Sequence, residues 1–173
     1  MVPQINRILF ATDLTENSRR AFYYAATIAN LHGAGMVILH VLEKLPGGAK
    51  QTIDLMLGEE TSQRFREARE KHVQNVLIGK RRDDDIVRRA LAEFYSSAVS
   101  GGLQPSFDSY DVLIEEGQVP DEIVRVAAEQ GCDLIVMGSH KGLLHSTALG
   151  SAAKGVVQHS KVPVLLVPPA EEV

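Results

Sequence analysis

The sequence has one cysteine, Cys132, so no intrachain disulfide can form. A lone thiol suits a reducing compartment. No cysteine and histidine spacing matches a metal site. A basic excess is missing too: 18 Lys and Arg stand against 22 Asp and Glu, for a net charge of −4. That argues against a nucleic-acid protein, whose electrostatic footprint is basic. No apolar run approaches the length of a membrane span, and the opening Met1–Arg7 lacks the basic-then-apolar pattern of a secretory signal. There is no G-x-x-x-x-G-K-(S/T) phosphate loop and no G-x-G-x-x-G fingerprint. The expectation from these absences is a soluble, cytoplasmic protein with no nucleic-acid or membrane partner and no metal site of its own.

The chain does have 173 residues, 45% hydrophobic and 23% charged, enough for one domain with a sizeable core. Five short apolar runs punctuate it. Arg7–Thr12 reads as a buried parallel strand ending at Asp13. A helix is predicted from the polar loop Asp13–Ser18 to about Leu31, with Ala21, Ala25, Ile28 and Ala29 on its apolar stripe and Gly33 near its C-cap. Met36–Leu42 reads as the second strand, completing a right-handed βαβ unit. From about 45 to 104 the chain looks helical but interrupted, in blocks Gln51–Leu57, Glu59–Ile78 and Asp84–Ser100, with the charge run Lys80–Asp85 as a solvated turn. We read this stretch as decoration of a single domain spanning 1–173.

Asp111–Glu116 is the third strand. The turn after it leads into a helix opened by Pro120, Asp121 and Glu122, residues suited to a first helical turn and its dipole. Ile123, Val126 and Ala127 form the stripe of that helix, and Gly131 ends it. Asp133–Met137 is the fourth strand, a short helix covers about Ala152–His159, and Pro163–Val167 is the fifth strand. Strands alternating with helices imply an open parallel sheet covered on both faces. Ligands of such sheets bind beyond the strand C-termini at the switch point of strand order, here between the first and fourth strands.

Gly138 follows the fourth strand and opens a loop at that edge. Gly150-Ser151 then starts a helix, whose free N–H groups and dipole favour phosphate. The Ser151 hydroxyl, Lys141 and His140 add a donor and positive charge. Glycines placed this way can also do no more than shape tight turns, and Asp13 can also be a plain helix-capping acid. His40 reads as a core or pocket histidine rather than a ligand. His140 and His145 share a loop without a partner at metal spacing. Cys132 reads as an inert, partly buried residue. The apolar spacing of Phe65, Val73, Val76 and Leu77 reads as a packed helix face.

Taken together, Ile8-Leu9-Phe10-Ala11-Thr12-Asp13, Gly117-Gln118-Val119-Pro120, Asp133–Gly138 and Gly150-Ser151 followed by Val162–Val167 resemble the universal stress protein family. The resemblance covers nearly everything except about 44–104. It implies a five-stranded parallel sheet of order 3-2-1-4-5, a Rossmann-like adenine-nucleotide-binding fold, with homodimerisation through the edge strand Pro163–Val167. It also implies a stress-response regulatory protein that binds ATP, with magnesium. Asp13 would meet the ribose and the Val41 backbone the adenine, with Ala11, Thr12 and Met137 lining the pocket. Gly138, Ser139, His140, Lys141, Gly142, Gly150, Ser151 and Ala152 would form the phosphate side.

The family's ATP-binding branch follows G-x2-G-x9-G-(S/T). Here Lys141 stands at the second glycine, Gly142 comes one position later, and the loop is one residue short, while Gly150-Ser151 is intact. Two classes of function therefore stay open: a nucleotide-binding regulator with at most weak ATP hydrolysis, and an interaction protein of the same fold that binds no nucleotide. An adenylating enzyme fits less well, because its glycine-rich loop after the first strand is missing from Ala11–Ser18. No catalytic residue is identified.

Overall fold

The computed structural model describes residues 2–43, 85, 88–90, 92–102, 110–139 and 149–170. The chain forms two compact units, one made of Met1–Glu43 with Ala90–Val173 and the other of Lys44–Arg89. The helical blocks expected at Gln51–Leu57 and Glu59–Ile78, and the charge run Lys80–Asp85 except for Asp85, lie outside the described residues. The first unit carries the sheet.

Its elements are β1 (Arg7–Thr12), α1 (Glu16–His32), β2 (Gly35–Glu43), β3 (Tyr110–Gly117), α2 (Val119–Glu129), β4 (Leu134–Gly138), α3 (Ser151–His159) and β5 (Val164–Val167). Residues 92–100 are also helical. All five strands are parallel, in the order β3-β2-β1-β4-β5. The expected architecture is therefore observed, and β1, the first strand in sequence, lies in the middle of the sheet.

The apolar runs become central strands because side chains on both faces find cover. Leu9, Ala11, Val37, Leu39, Ile135 and Met137 pack with Ile123, Val126 and Ala127 of α2 and Ala153 and Val156 of α3. Alternation along the strand sends Ile8 and Phe10 to the opposite face. There the Phe10 ring meets Phe22 of α1 edge-on, with centroids 5.6 Å apart, and Phe22 meets Phe94 at 6.1 Å. Alanines 21, 25, 26 and 29 of α1 are fully buried, and their small side chains bring the helix close to the sheet. Fully burying one Ile or Leu contributes about 1.5–3 kcal/mol, so this double-sided core dominates the stability of the unit.

Polar ties set the ends. Thr15 is the N-cap of α1, its hydroxyl accepting from the Ser18 N–H, and Gly33 closes the helix in the left-handed region at φ 62°. The Asp133 carboxylate accepts the N–H groups of Asn6 at 2.7 Å and Arg7 at 3.0 Å, which fixes the start of β1 beside the start of β4. Arg125 on α2 bridges Glu115, Glu122 and Glu129. All three pairs are solvent-accessible, which limits what each adds. No helix among the described residues is long and apolar enough to cross a membrane.

Candidate functional site

Because β1 lies between β2 and β4, the chain leaves it in one direction toward α1, while the connections on its two sides run to opposite faces. A crevice opens at the carboxyl ends of these strands. It holds a cavity of about 460 Å³, within the usual range for small-molecule sites. Ala11, Leu39, Val41, Ile123 and Met137 give it an apolar wall, and Thr12, Asp13, Ser18, Gly138, Gly150 and Ser151 a polar one. Val119, Ala152 and Ala153 complete the lining.

Asp13 sits where β1 ends. Its Oδ1 accepts from the Thr15 N–H at 3.0 Å, from the Thr15 hydroxyl at 2.7 Å and from the Ser18 hydroxyl. The Ser18 oxygen in turn accepts the Asp13 N–H at 3.2 Å. Asp13 is thus an anchor of the turn, while the N-cap of α1 is Thr15. The plain capping role open to Asp13 falls to Thr15 instead. Between them Leu14 adopts φ 63°, a left-handed conformation that costs a non-glycine residue about 1–2 kcal/mol. Its N–H donates to the Thr12 hydroxyl at 3.0 Å.

The other polar edge comes from β4 and α3. The N-cap of α3, Gly150, supplies no side-chain hydrogen bond. The first turn, Ser151 to Ala153, lies on the cavity without a capping side chain, at the positive end of the helix dipole. The first residue of α2, Val119, lines the same cavity, and its N-cap Gln118 likewise offers no side-chain bond to the helix. No lysine, arginine or histidine lines the cavity among the described residues, and the N-terminal residues of α3 and α2 both lie on it. Among the described residues no cluster of three His, Cys, Asp or Glu can hold a metal ion.

Of the residues singled out from sequence, Ala11, Thr12, Asp13, Val41, Met137, Gly138, Gly150, Ser151 and Ala152 converge on this one cavity. Ser139 does not line it: its N–H donates to the Val167 carbonyl at 2.9 Å and its hydroxyl makes a longer contact, 3.4 Å, to the same oxygen. His140, Lys141, Gly142 and His145 lie outside the described residues. Sequence reasoning missed Ser18, Leu39, Val119, Ile123 and Ala153. Leu39 was readable from strand alternation with Val41, and Ile123 from the stripe of α2. Ser18 carried no signal beyond its place in the first turn of α1.

The two remaining candidates lie elsewhere. Half-buried His40 donates from Nδ1 to the Thr12 carbonyl at 2.8 Å, tying β2 to β1 rather than lining the cavity. Cys132 is 4% exposed, and burial pushes its thiol up to about 11, with Arg7 opposing and Asp133 adding to the shift. A thiol so placed is a poor nucleophile at neutral pH.

A doubly wound parallel sheet, with a cavity of ligand size at its switch point and helix N-termini around it, defines a Rossmann-like α/β protein. The family model for the universal stress protein family matches residues 4–168. The chain belongs to that family. It is similar to a universal stress protein of Methanocaldococcus jannaschii, 26% identical over 163 residues that cover 93% of each chain. Among solved structures, universal stress protein UspA from Lactobacillus plantarum shares the fold with a TM-score of 0.61 at 20% identity, over 96% of this chain and 99% of that one. A universal stress protein crystallised in complex with cAMP gives 0.57 at 21% identity, over 95% and 98%.

Proposed function

We propose that this universal stress protein binds an adenine nucleotide, ATP with its magnesium in the fullest form, in the cavity at the switch point. The observation that carries the reading is the division of that cavity. Leu39, Val41, Ile123 and Met137 form an apolar slot suited to a base, and the uncapped N-terminus of α3 at Gly150–Ala153 lies on the same cavity. In this reading the Val41 backbone meets adenine, Asp13 meets ribose, and Gly138, Gly150, Ser151 and Ala152 hold phosphates together with His140, Lys141 and Gly142. The structural relative described in complex with cAMP supports the adenine part. Magnesium would arrive with the phosphates rather than occupy a site of its own. The test is thermal unfolding with millimolar ATP, ADP, AMP and cAMP. A ligand at a hundredfold its dissociation constant adds about 2.7 kcal/mol, so the melting temperature should rise by roughly 5–10 °C for a chain of this size. No shift with any of the four would overturn the reading and favour the interaction protein.

We further infer a cytoplasmic homodimer joined through Pro163–Val167. β5 is an edge strand of the sheet, paired with β4, and its residues are apolar. Edges of this kind invite pairing. Light scattering at micromolar concentration should give twice the chain mass, and a monomer mass would refute it.

A further inference from the structure

We infer that Asn17 is the positioning residue of the nucleotide site: its side-chain amide holds the exit of β4 in place, and with it the phosphate side of the cavity. The inference rests on the nucleotide reading and goes beyond it, because Asn17 does not line the cavity. It is the second residue of α1. Its Nδ2 donates to the Ser139 carbonyl at 2.9 Å, across 122 positions of sequence. The carbonyl can only accept, which assigns the amide orientation. Ser139 donates its own N–H to the Val167 carbonyl at 2.9 Å. Both backbone polar groups of Ser139 are therefore engaged, one by α1 and one by β5.

The preceding residue, Gly138, lines the cavity and is interlocked with the same amide. A Cβ on Gly138 would stand 2.8 Å from Asn17 Nδ2 and 3.3 Å from Asn17 Cγ. The amide thus lies directly against the glycine, and any larger residue there must push it off Ser139. The neighbouring residue Ser18 bonds Asp13 from the same helical turn. One turn of α1 consequently sets both polar walls: Asp13 through Ser18, and Gly138-Ser139 through Asn17. Asn17 Oδ1 is buried without a hydrogen-bond partner among the described residues, and a buried unsatisfied acceptor is destabilising. An alanine would avoid that cost but leave the Ser139 carbonyl without its donor, so the two effects on stability oppose each other.

The test uses the full chain with Asn17→Ala, Asn17→Asp, Gly138→Ala and the Asn17→Ala/Gly138→Ala double variant. Calorimetric titration with ATP gives affinity, nucleotide-free melting gives stability, and hydrogen exchange reads the Ser139 amide without nucleotide. Asn17→Ala should weaken ATP by about tenfold, the change that follows from losing one supporting hydrogen bond. Its nucleotide-free melting temperature should stay within about 2 °C of the parent. Asn17→Asp keeps the shape but cannot donate, and should lose as much. Gly138→Ala should act by evicting the amide, so the double variant should be no weaker than Asn17→Ala alone; additive losses would overturn the interlock. Wild-type affinity in Asn17→Ala and Asn17→Asp would overturn the positioning role. If the parent chain itself binds no adenine nucleotide, the nucleotide reading falls, and the Ser139 amide still decides the contact: faster exchange in Asn17→Ala upholds the clamp, and unchanged exchange removes it.

Discussion

Replacing Gly155 with alanine should destabilise this protein, against the usual rule for a helix. Gly155 lies inside α3, where exchanging glycine for alanine ordinarily gains about 1 kcal/mol. Here a Cβ would lie 2.8 Å from both Cβ and Cγ of Pro120, in the first turn of α2. Carbon atoms in good contact sit about 3.5–4.0 Å apart, so one helix must retreat by close to an ångström. The pyrrolidine ring cannot rotate away as a flexible side chain would. Overpacking of this kind costs about 1–3 kcal/mol. Set against the propensity gain, the net loss is about 1 kcal/mol, or roughly 2–4 °C in melting temperature for a chain of this length. Urea unfolding of Lys154→Gly against Lys154→Ala, at an exposed position on the same helix, gives the baseline for propensity alone. The retreat would also part Val119 from Ala152 and Ala153, which line the cavity together, so nucleotide affinity should fall with stability. A Gly155→Ala protein that melts higher than the parent would refute the claim that the α2–α3 contact is closed at this point.

Two smaller perturbations act away from that contact. Cys132 ionises near 11 in the folded state but near 9.0 when unfolded, so above pH about 9 the unfolded chain gives up the proton first. The thiol's contribution, up to about 2–3 kcal/mol, is complete below pH 9 and lost as pH rises toward 11. Urea midpoints at pH 8 and pH 10.5 should show that decline, Cys132→Ala should flatten it, and an identical slope in both proteins would contradict it. Thr15→Ala removes the N-cap of α1 and a partner of Asp13, so it should cost about 1 kcal/mol or somewhat more by chemical denaturation. A loss below a few tenths would show the cap to be dispensable.

Most of the strands were legible because they are apolar runs with a physical stop beside them, and β3 because Val112–Ile114 is apolar between charged ends. β1 ends against Asp13, β2 begins after Gly33 in its left-handed cap, and β4 runs into Gly138. Position in the sheet followed from the family resemblance and from the parallel pattern, in which both faces must be buried. The apolar wall of the cavity was largely legible: Ala11, Val41 and Met137 were expected, while Leu39 and Ile123 looked like ordinary core. They are both, because the cavity is the unfilled end of the same layer that packs α2 and α3 on the sheet. The contact between Asn17 and Ser139 left no trace in the sequence. Its partners are remote, and an asparagine in the first turn of a helix has a sufficient local explanation in capping chemistry.

That unfilled end bears on the choice between a nucleotide binder and a protein that uses the fold alone. Protein interiors pack to crystal-like density, with few voids larger than a water molecule. A cavity of about 460 Å³ beside Leu39, Ile123 and Met137 leaves apolar surface uncovered where the rest of the layer is closed. Three of its lining positions, Ala11, Ala152 and Ala153, carry the smallest side chain that still has a Cβ. Leucine or methionine at Ala11 would reach into that space and bury more surface, at about 0.8 kcal/mol for each methylene covered. A fold with no ligand therefore has a direct route to greater stability at this position. Ala11→Leu separates the two cases: it should abolish the nucleotide-dependent melting shift while leaving the nucleotide-free protein as stable as the parent or more so. If the shift survived intact, the nucleotide would have to bind away from this cavity.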